Sequence, residues 1–138
     1  MSSKAFDICV SGSGAVAKAL ALALAGDGWR VALAGQFDSG AEAAPDVRTY
    51  ALNARAIALL ERLRIWPQLK ASSTQVDAMQ IRGDGRGALA FSAWQQCVPE
   101  LAWIVDAAVL ERLLGEALRY APRVDVVPPL SSAGVAPV

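Results

Sequence analysis

The amino-acid sequence predicts an α/β fold that opens on a Rossmann-like βαβ unit and carries an inserted β-hairpin. Three observations predict it. The apolar run Phe6-Asp7-Ile8-Cys9-Val10 is followed by Gly12-Ser13-Gly14-Ala15-Val16-Ala17, an alanine- and leucine-rich stretch to Ala25, and a second apolar run at Arg30-Val31-Ala32-Leu33. Two further strand-like runs, Val76–Arg82 and Ala88–Ser92, flank the turn sequence Gly83-Asp84-Gly85-Arg86-Gly87. A helical pattern and a final strand-like run, Val124–Val127, then resume the alternation that a parallel sheet requires. The strands holding Ile8, Val31 and Val126 are expected to share one parallel sheet, covered by the Ala15–Ala25 helix. Sheets covered on both faces are built from continuous apolar runs of this kind.

The opening turn carries the chemistry. Gly12, Ser13, Gly14, Ala15, Val16 and Ala17 spell GxGxxA between a strand and a helix, the context in which this pattern binds dinucleotides. The first glycine makes the tight turn, and the second lets the backbone approach a pyrophosphate. The third position needs a small residue so that helix and strand can pack closely. The helix N-terminus presents N–H groups and the positive end of its dipole to the phosphates. A ligand-free glycine turn in an α/β unit is the plain alternative. Dinucleotide folds also place an acid at the end of the second strand, about 20 residues on, to hold a ribose hydroxyl. That end here reads Ala34-Gly35-Gln36, so Gly35 stands where the acid is expected, and Gln36 or Asp38 would have to substitute.

Composition removes other classes. At 138 residues a single domain is expected. Thirteen basic and 13 acidic side chains give no net charge to draw the chain to nucleic acid or an acidic membrane. With no histidine and only Cys9 and Cys97, neither a zinc site nor a histidine-based triad is expected. Cys9, in the first strand, reads as a small core residue. The N-terminal apolar stretch is interrupted by Asp7, Gly12, Gly14 and Lys18, which disfavours a secretory signal. No run approaches the ~20 apolar residues of a membrane span. A cytoplasmic location is expected, with a peripheral place at a membrane as the alternative.

The remaining elements follow in order. Residues 35–50 read as a loop. Ala51–Arg64 shows helical spacing, with Leu52, Ala56, Leu59, Leu60 and Leu63 on one stripe. Ile65-Trp66-Pro67 is expected to end that helix, because proline disfavours helix in the residue before it. Leu101–Val105 reads as a strand and Asp106 as the N-cap of a Val109–Tyr120 helix with Leu110, Leu113, Leu114, Ala117 and Leu118 on its apolar face. Trp66 and Trp103 read as core anchors. Residues 131–138 read as a loose tail. No residue has the supporting partners of a general base or nucleophile, so no catalytic residue is assigned.

Phe6 to Leu33, then Asp46-Val47-Arg48-Thr49-Tyr50-Ala51-Leu52, Leu63-Arg64-Ile65-Trp66 and Leu101-Ala102-Trp103-Ile104-Val105-Asp106, occur in a familiar order. Together they resemble the N-terminal portion of the FAD-dependent aromatic-ring hydroxylases, specifically those of ubiquinone biosynthesis. The resemblance implies a glutathione-reductase-type FAD-binding core over residues 1–138, with 75–105 as part of a substrate-domain insertion and the chain truncated relative to the family. It implies FAD on the Gly12–Ala17 turn, with Gly35 and Gln36 at the ribose end and Arg48 against the cofactor. NAD(P)H would be the transient reductant and an aromatic or quinone precursor the substrate. The remainder of the enzyme or other ubiquinone-pathway proteins would be partners. The family's flavin chemistry depends on the protein holding the cofactor and excluding water.

The chain departs from the family at Ala17, at Gly35, and at Ala107 and Ala108, where the family often has polar residues facing the cofactor. The later D-G and G-D segments have no counterpart. These departures imply weak FAD binding, repaired by Gly35→Glu only if Gly35 tolerates a side chain, with a positive φ there cancelling the gain, and a chain that alone hydroxylates nothing. Two other readings remain: a non-catalytic accessory module, and a nicotinamide-binding domain of another oxidoreductase, against which the hairpin counts.

Overall fold

The computed structural model describes residues 5–37 and 46–130. Asp38 and the 131–138 tail lie outside the described residues. The chain begins β1 (Ile8–Ser11), α1 (Ala15–Gly26), β2 (Val31–Ala34), β3 (Thr49–Leu52), α2 (Ala54–Arg62) and α3 (Trp66–Lys70). It continues β4 (Thr74–Val76), β5 (Ala78–Arg82), β6 (Ala88–Ser92), β7 (Ala102–Asp106), α4 (Ala107–Arg119) and β8 (Val124–Val127). It divides into two compact units, one of Met1–Pro45 with Glu111–Val138 and one of Asp46–Leu110. The hairpin expected as an insertion falls inside the second. No described helix is long and apolar enough to cross a membrane.

The first unit contains a parallel sheet in the order β1-β2-β8, the sheet that the sequence predicts through Ile8, Val31 and Val126. Central β2 is buried along its whole length. Val10, Ala21, Val31 and Leu33 form the core, and Ile8, Ala17, Leu24, Phe37, Leu118 and Val124 pack around it. Val31 and Leu33 are fully buried, and each contributes on the order of 1.5–3 kcal/mol by leaving water. Alternation on β1 turns Val10 into this core and Cys9 away from it. Cys9 is exposed and is not the core residue the sequence suggested. An apolar run alone does not reveal which parity faces the helix.

The second unit holds an antiparallel sheet, β3-β7-β4, and a separate β5-β6 hairpin. The hairpin has the bounds expected for its turn, with Gly83 N donating to Gly87 O at 3.1 Å. The run expected as one strand from Val76 is cut at Asp77, where the chain leaves the β3-β7-β4 sheet for the hairpin. Residues 49–52 form a strand rather than the end of a loop and the start of a helix, because they pair with β7 from Thr49↔Asp106 to Leu52↔Trp103. The helix starts at Ala54, behind the Asn53 N-cap, whose side chain accepts from Ala56 N at 2.9 Å. Its buried residues are Ile57 and Leu60, so the apolar stripe includes Ile57 besides the residues expected from the spacing.

The end of α2 also differs from expectation. Leu63 is the C-cap and Arg64 adopts φ 60°. Arg64 N donates to Glu61 O and Ile65 N to Leu60 O, both at 2.9 Å, which is a Schellman motif with arginine in the place usually held by glycine. Ile65 and Leu60, both buried, supply its apolar contact. The helix therefore stops before Ile65, and Pro67 sits in the first turn of α3, where its missing N–H costs nothing. Buried Trp66 meets half-buried Trp103 edge-to-face, with ring centroids 5.4 Å apart at 83°. Lys70 Nζ lies 5.1 Å from the Trp103 ring centre.

The left-handed conformation at Arg64 costs an L residue about 1–2 kcal/mol, and glycine in a folded chain costs about 0.5–1 kcal/mol of extra entropy. Arg64→Gly is therefore expected to raise stability by roughly 0.5–1 kcal/mol, read as a higher urea midpoint at unchanged m-value.

Candidate nucleotide-binding turn

The first unit builds the candidate site at the C-terminal ends of its parallel strands, the side on which open α/β sheets bind ligands. The last β1–β2 register pair is Ser11↔Ala34, so Gly12 and Gly35 follow as neighbours. Gly12 N donates to Ala34 O at 2.8 Å and Gly35 N to Val127 O at 3.2 Å, carrying both ladders one residue past the strands. Gly12 has φ 144°, a conformation that L side chains rarely adopt, and a Cβ there would lie 3.0 Å from Ala17 Cβ. The small third residue of the motif thus sits against the first glycine.

Gly14 is the N-cap of α1, with φ −82° and no side-chain cap on the helix N-terminus. A Cβ built on Gly14 meets only Glu111 Oε1, at 3.9 Å. Packing within the protein does not require glycine here; a Cβ would project into the open space in front of the helix. Ser13 is exposed, Ala15 is half-buried and Val16 is 84% exposed, so the first turn offers its N–H groups to the outside.

Gly35 is different. A Cβ at Gly35 would stand 2.7 Å from Gly12 O, 3.0 Å from Gly12 C and 3.0 Å from Phe37 Cε2. Two of those atoms are backbone, so no side chain fits without displacing the turn. The condition on which Gly35→Glu would restore a ribose acceptor, room for a side chain, is therefore not met. Gln36, the next residue, is exposed.

Two residues that the sequence reading did not assign complete the unit's polar structure. Lys18, on the first turn of α1, forms an ion pair with Glu111 of α4, and their side chains are only 13% and 25% exposed. Removing one partner of so sheltered a pair leaves the other charge without compensation. The signal was a single lysine in an otherwise apolar helix; its partner lies 93 residues away.

Arg48 belongs to the second unit. Its Nε and Nη2 donate to Asp46 Oδ1 and Oδ2 at 2.8 Å each, and its backbone N donates to Oδ1 at 3.1 Å. The guanidinium hydrogen bonds, then the backbone one, lower the Asp46 carboxyl from 3.8 to about 2. Asp106 caps α4: its Oδ1 accepts from Ala108 N at 2.8 Å and Val109 N at 3.3 Å, so the helix begins at Ala107 rather than Val109. Among the described residues no three His, Cys, Asp or Glu side chains cluster as metal ligands.

The fold is similar to part of solved flavin monooxygenases. The p-nitrophenol 4-monooxygenase PnpA of Pseudomonas putida DLL-E4 superposes with a TM-score of 0.66 at 20% identity, over 88% of this chain and 31% of that one. PqsL of Pseudomonas aeruginosa, in complex with 2-aminobenzoylacetate, gives 0.69 at 18% identity over 89% and 33%. The flavin-dependent monooxygenase PieE, in complex with FAD and substrate, gives 0.65 at 19% identity over 89% and 23%. At the sequence level the chain is 30% identical over 128 residues to the 3-demethoxyubiquinol 3-hydroxylase of Escherichia coli (strain K12). That match covers 90% of this chain and 33% of the relative, so the chain spans about a third of that enzyme's length. No family model matches. The resemblance to FAD-dependent aromatic-ring hydroxylases of the ubiquinone-biosynthesis kind is thereby borne out.

Two outcomes follow from this geometry. Gly35→Glu is expected to destabilise the chain by about 1–3 kcal/mol, the usual cost of overpacking, whereas Gly14→Val changes stability by no more than about 1 kcal/mol; chemical denaturation of the two variants checks both. For Asp46, the folded carboxyl titrates below its ordinary value, so the Arg48 pair is in force above about pH 4 and is lost as the pH falls through about 2. In Arg48→Gln the Asp46 carboxyl is expected to move up toward 3.8, read by NMR titration of its side-chain carbon.

Proposed function

We propose that the chain is the FAD-binding portion of a flavin-dependent monooxygenase acting on an aromatic or quinone precursor, with β1, α1 and β2 as a glutathione-reductase-type dinucleotide unit. The observation that carries this reading is the open Gly14 position at the uncapped N-terminus of α1, beside a Gly12 whose backbone only glycine adopts freely. A cofactor diphosphate needs such a cradle, and a Cβ would fill it. The turn fits the cofactor's diphosphate. FAD, when bound, supplies the redox chemistry. The chain's own residues bind and orient it: Gly12 to Ala17 offer backbone N–H groups and the positive end of the α1 dipole to the phosphates. Arg48, whose guanidinium Asp46 holds, is the candidate for a further contact to the cofactor.

The adenosine ribose end is where this chain differs. Gly35 offers no acceptor and admits none, so a charge-assisted hydrogen bond worth roughly 1.5–3 kcal/mol is absent. The chain therefore binds FAD on the order of ten- to a hundredfold more weakly than a protein with the acid. NAD(P)H serves as the reductant in this reading, and a phenolic or quinone ring as the substrate.

Titration of FAD, followed by flavin fluorescence, is the test. Saturable binding by the native chain is expected. Gly14→Val, folded as judged by circular dichroism, is expected to abolish it, and Gly35→Glu to weaken it further. Equal affinity in the native chain and Gly14→Val would mean that the turn holds no nucleotide.

A further inference from the structure

A carboxylate stands beside the glycine turn, where an anion site would be expected to exclude one. A Cβ on Gly14 would meet Glu111 Oε1 at 3.9 Å, so one oxygen of Glu111 faces the space in front of α1 that a diphosphate would occupy. The other oxygen, Oε2, accepts from Lys18 Nζ. Lys18 stands one helical turn behind Gly14, its backbone N donating to Gly14 O at 3.1 Å. Both side chains of the pair are sheltered, Lys18 13% and Glu111 25% exposed.

Left to itself, Glu111 would oppose an anion at this turn. The first-turn N–H groups of α1 have no side-chain cap, and a carboxylate is a natural partner for a helix N-terminus. An unpaired Glu111 would either take those N–H groups or repel a phosphate approaching them. Solvent does not fully damp either effect, because partly buried charges interact in a lower effective dielectric than that of water.

Lys18 is the one charged residue of α1, whose sequence is AVAKALALALAG. Among the described residues it is the only cation bonded to Glu111. Arg112, the next residue on α4, turns to Glu116 instead, at 2.8 Å. The Lys18 ammonium is committed to Glu111, so its effect on an anion at the turn comes through that carboxylate.

We propose that Lys18 is a positioning residue for anion binding at the Gly12–Ala17 turn. It holds the Glu111 carboxylate off the α1 N-terminus and cancels its charge, without touching the phosphate. This rests on the diphosphate reading of the turn, but not on flavin.

Calorimetric titration of the 138-residue chain with ADP, which carries a diphosphate and no flavin, tests it. Lys18→Met is expected to weaken ADP by at least roughly tenfold, because the uncompensated Glu111 then faces the ligand. Glu111→Gln is expected to bind ADP at least as tightly as the native chain. The double variant Lys18→Met/Glu111→Gln should recover native affinity to within about threefold, the coupling expected of two residues in one pair. Lys18→Arg keeps the charge and should keep the affinity. The gap between the native chain and Lys18→Met should narrow as salt rises from about 0.01 M to about 1 M, where the Debye length falls from about 30 to about 3 Å.

A double variant as weak as Lys18→Met would make Lys18 a direct phosphate ligand and overturn the proposal. Glu111→Gln as weak as Lys18→Met would make the pair a structural strut, with the same consequence. Lys18→Met leaves a sheltered charge unpaired and is destabilising. If it does not fold, Glu111→Gln decides: affinity at or above native upholds the proposal, and a tenfold loss overturns it. Parallel titrations with FAD separate this role from the flavin reading. ADP binding that follows the expected pattern without FAD binding upholds the role of Lys18 and removes the flavin reading. FAD binding with ADP indifferent to Lys18→Met does the reverse, and a chain that binds neither ligand loses both.

Discussion

The backbone contact between Gly12 and Gly35 constrains everything around the candidate site. The two residues leave adjacent parallel strands side by side, and no atom beyond hydrogen fits on the Gly35 α-carbon facing Gly12. That contact lets Gly12 turn with φ 144°, and Ala17, pressed against Gly12, sets how closely α1 approaches the strand it follows. The helix N-terminus is thereby aimed out of the sheet, uncapped by any side chain. Interior packing leaves little room for compromise at such a point. The same constraint removes the side chain that would read a ribose, so one feature both supports the phosphate turn and limits what it recognises.

Each unit is held by its own apolar packing, and no polar or charged residue of the described chain is buried. Polar chemistry is confined to strand ends, helix ends and surfaces. Among the described residues the Lys18–Glu111 pair is the most sheltered ion pair, and it joins α1 to α4 where α1 leaves the glycine turn. Its charges cancel, so Glu111 can stand near Gly14 without spoiling an anion site. The Asp46–Arg48 pair is exposed on its arginine side, which makes it easily broken when a stronger partner arrives.

The second unit takes its order from β7, which pairs with β3 on one side and β4 on the other. Trp66 packs on Trp103 of that strand, fixing α3 against the sheet. The β5-β6 hairpin is less sheltered: Met79, Ile81 and Leu89 are exposed, although Ile81 is opposite Leu89 and Met79 opposite Phe91. Two-stranded ribbons gain little from each other alone, so these cross-strand contacts and the join to β4 through Asp77 hold it.

The sequence by itself determined what short-range physics controls. The turn after β1, the amphipathic pattern of α4, the Asp106 cap, the glycine-rich hairpin and the run at β8 all act over a few residues, and their patterns were legible. So was the pairing of Gly12 with a small residue at 17. Tertiary structure alone decided the rest. Residues 49–52 fit a helical stripe until β7 offers them hydrogen bonds from a distant part of the chain. Arg64 stops α2 without a glycine because buried Ile65 and Leu60 stabilise the strained cap. The side of β1 that Cys9 takes depends on where α1 lands, and Glu111 meets Lys18 only after the chain has closed on itself. Gly35 is the clearest case. In the sequence it is a missing acid, and in the fold it is a required glycine, because two backbones meet there and only their three-dimensional approach leaves no room for a side chain.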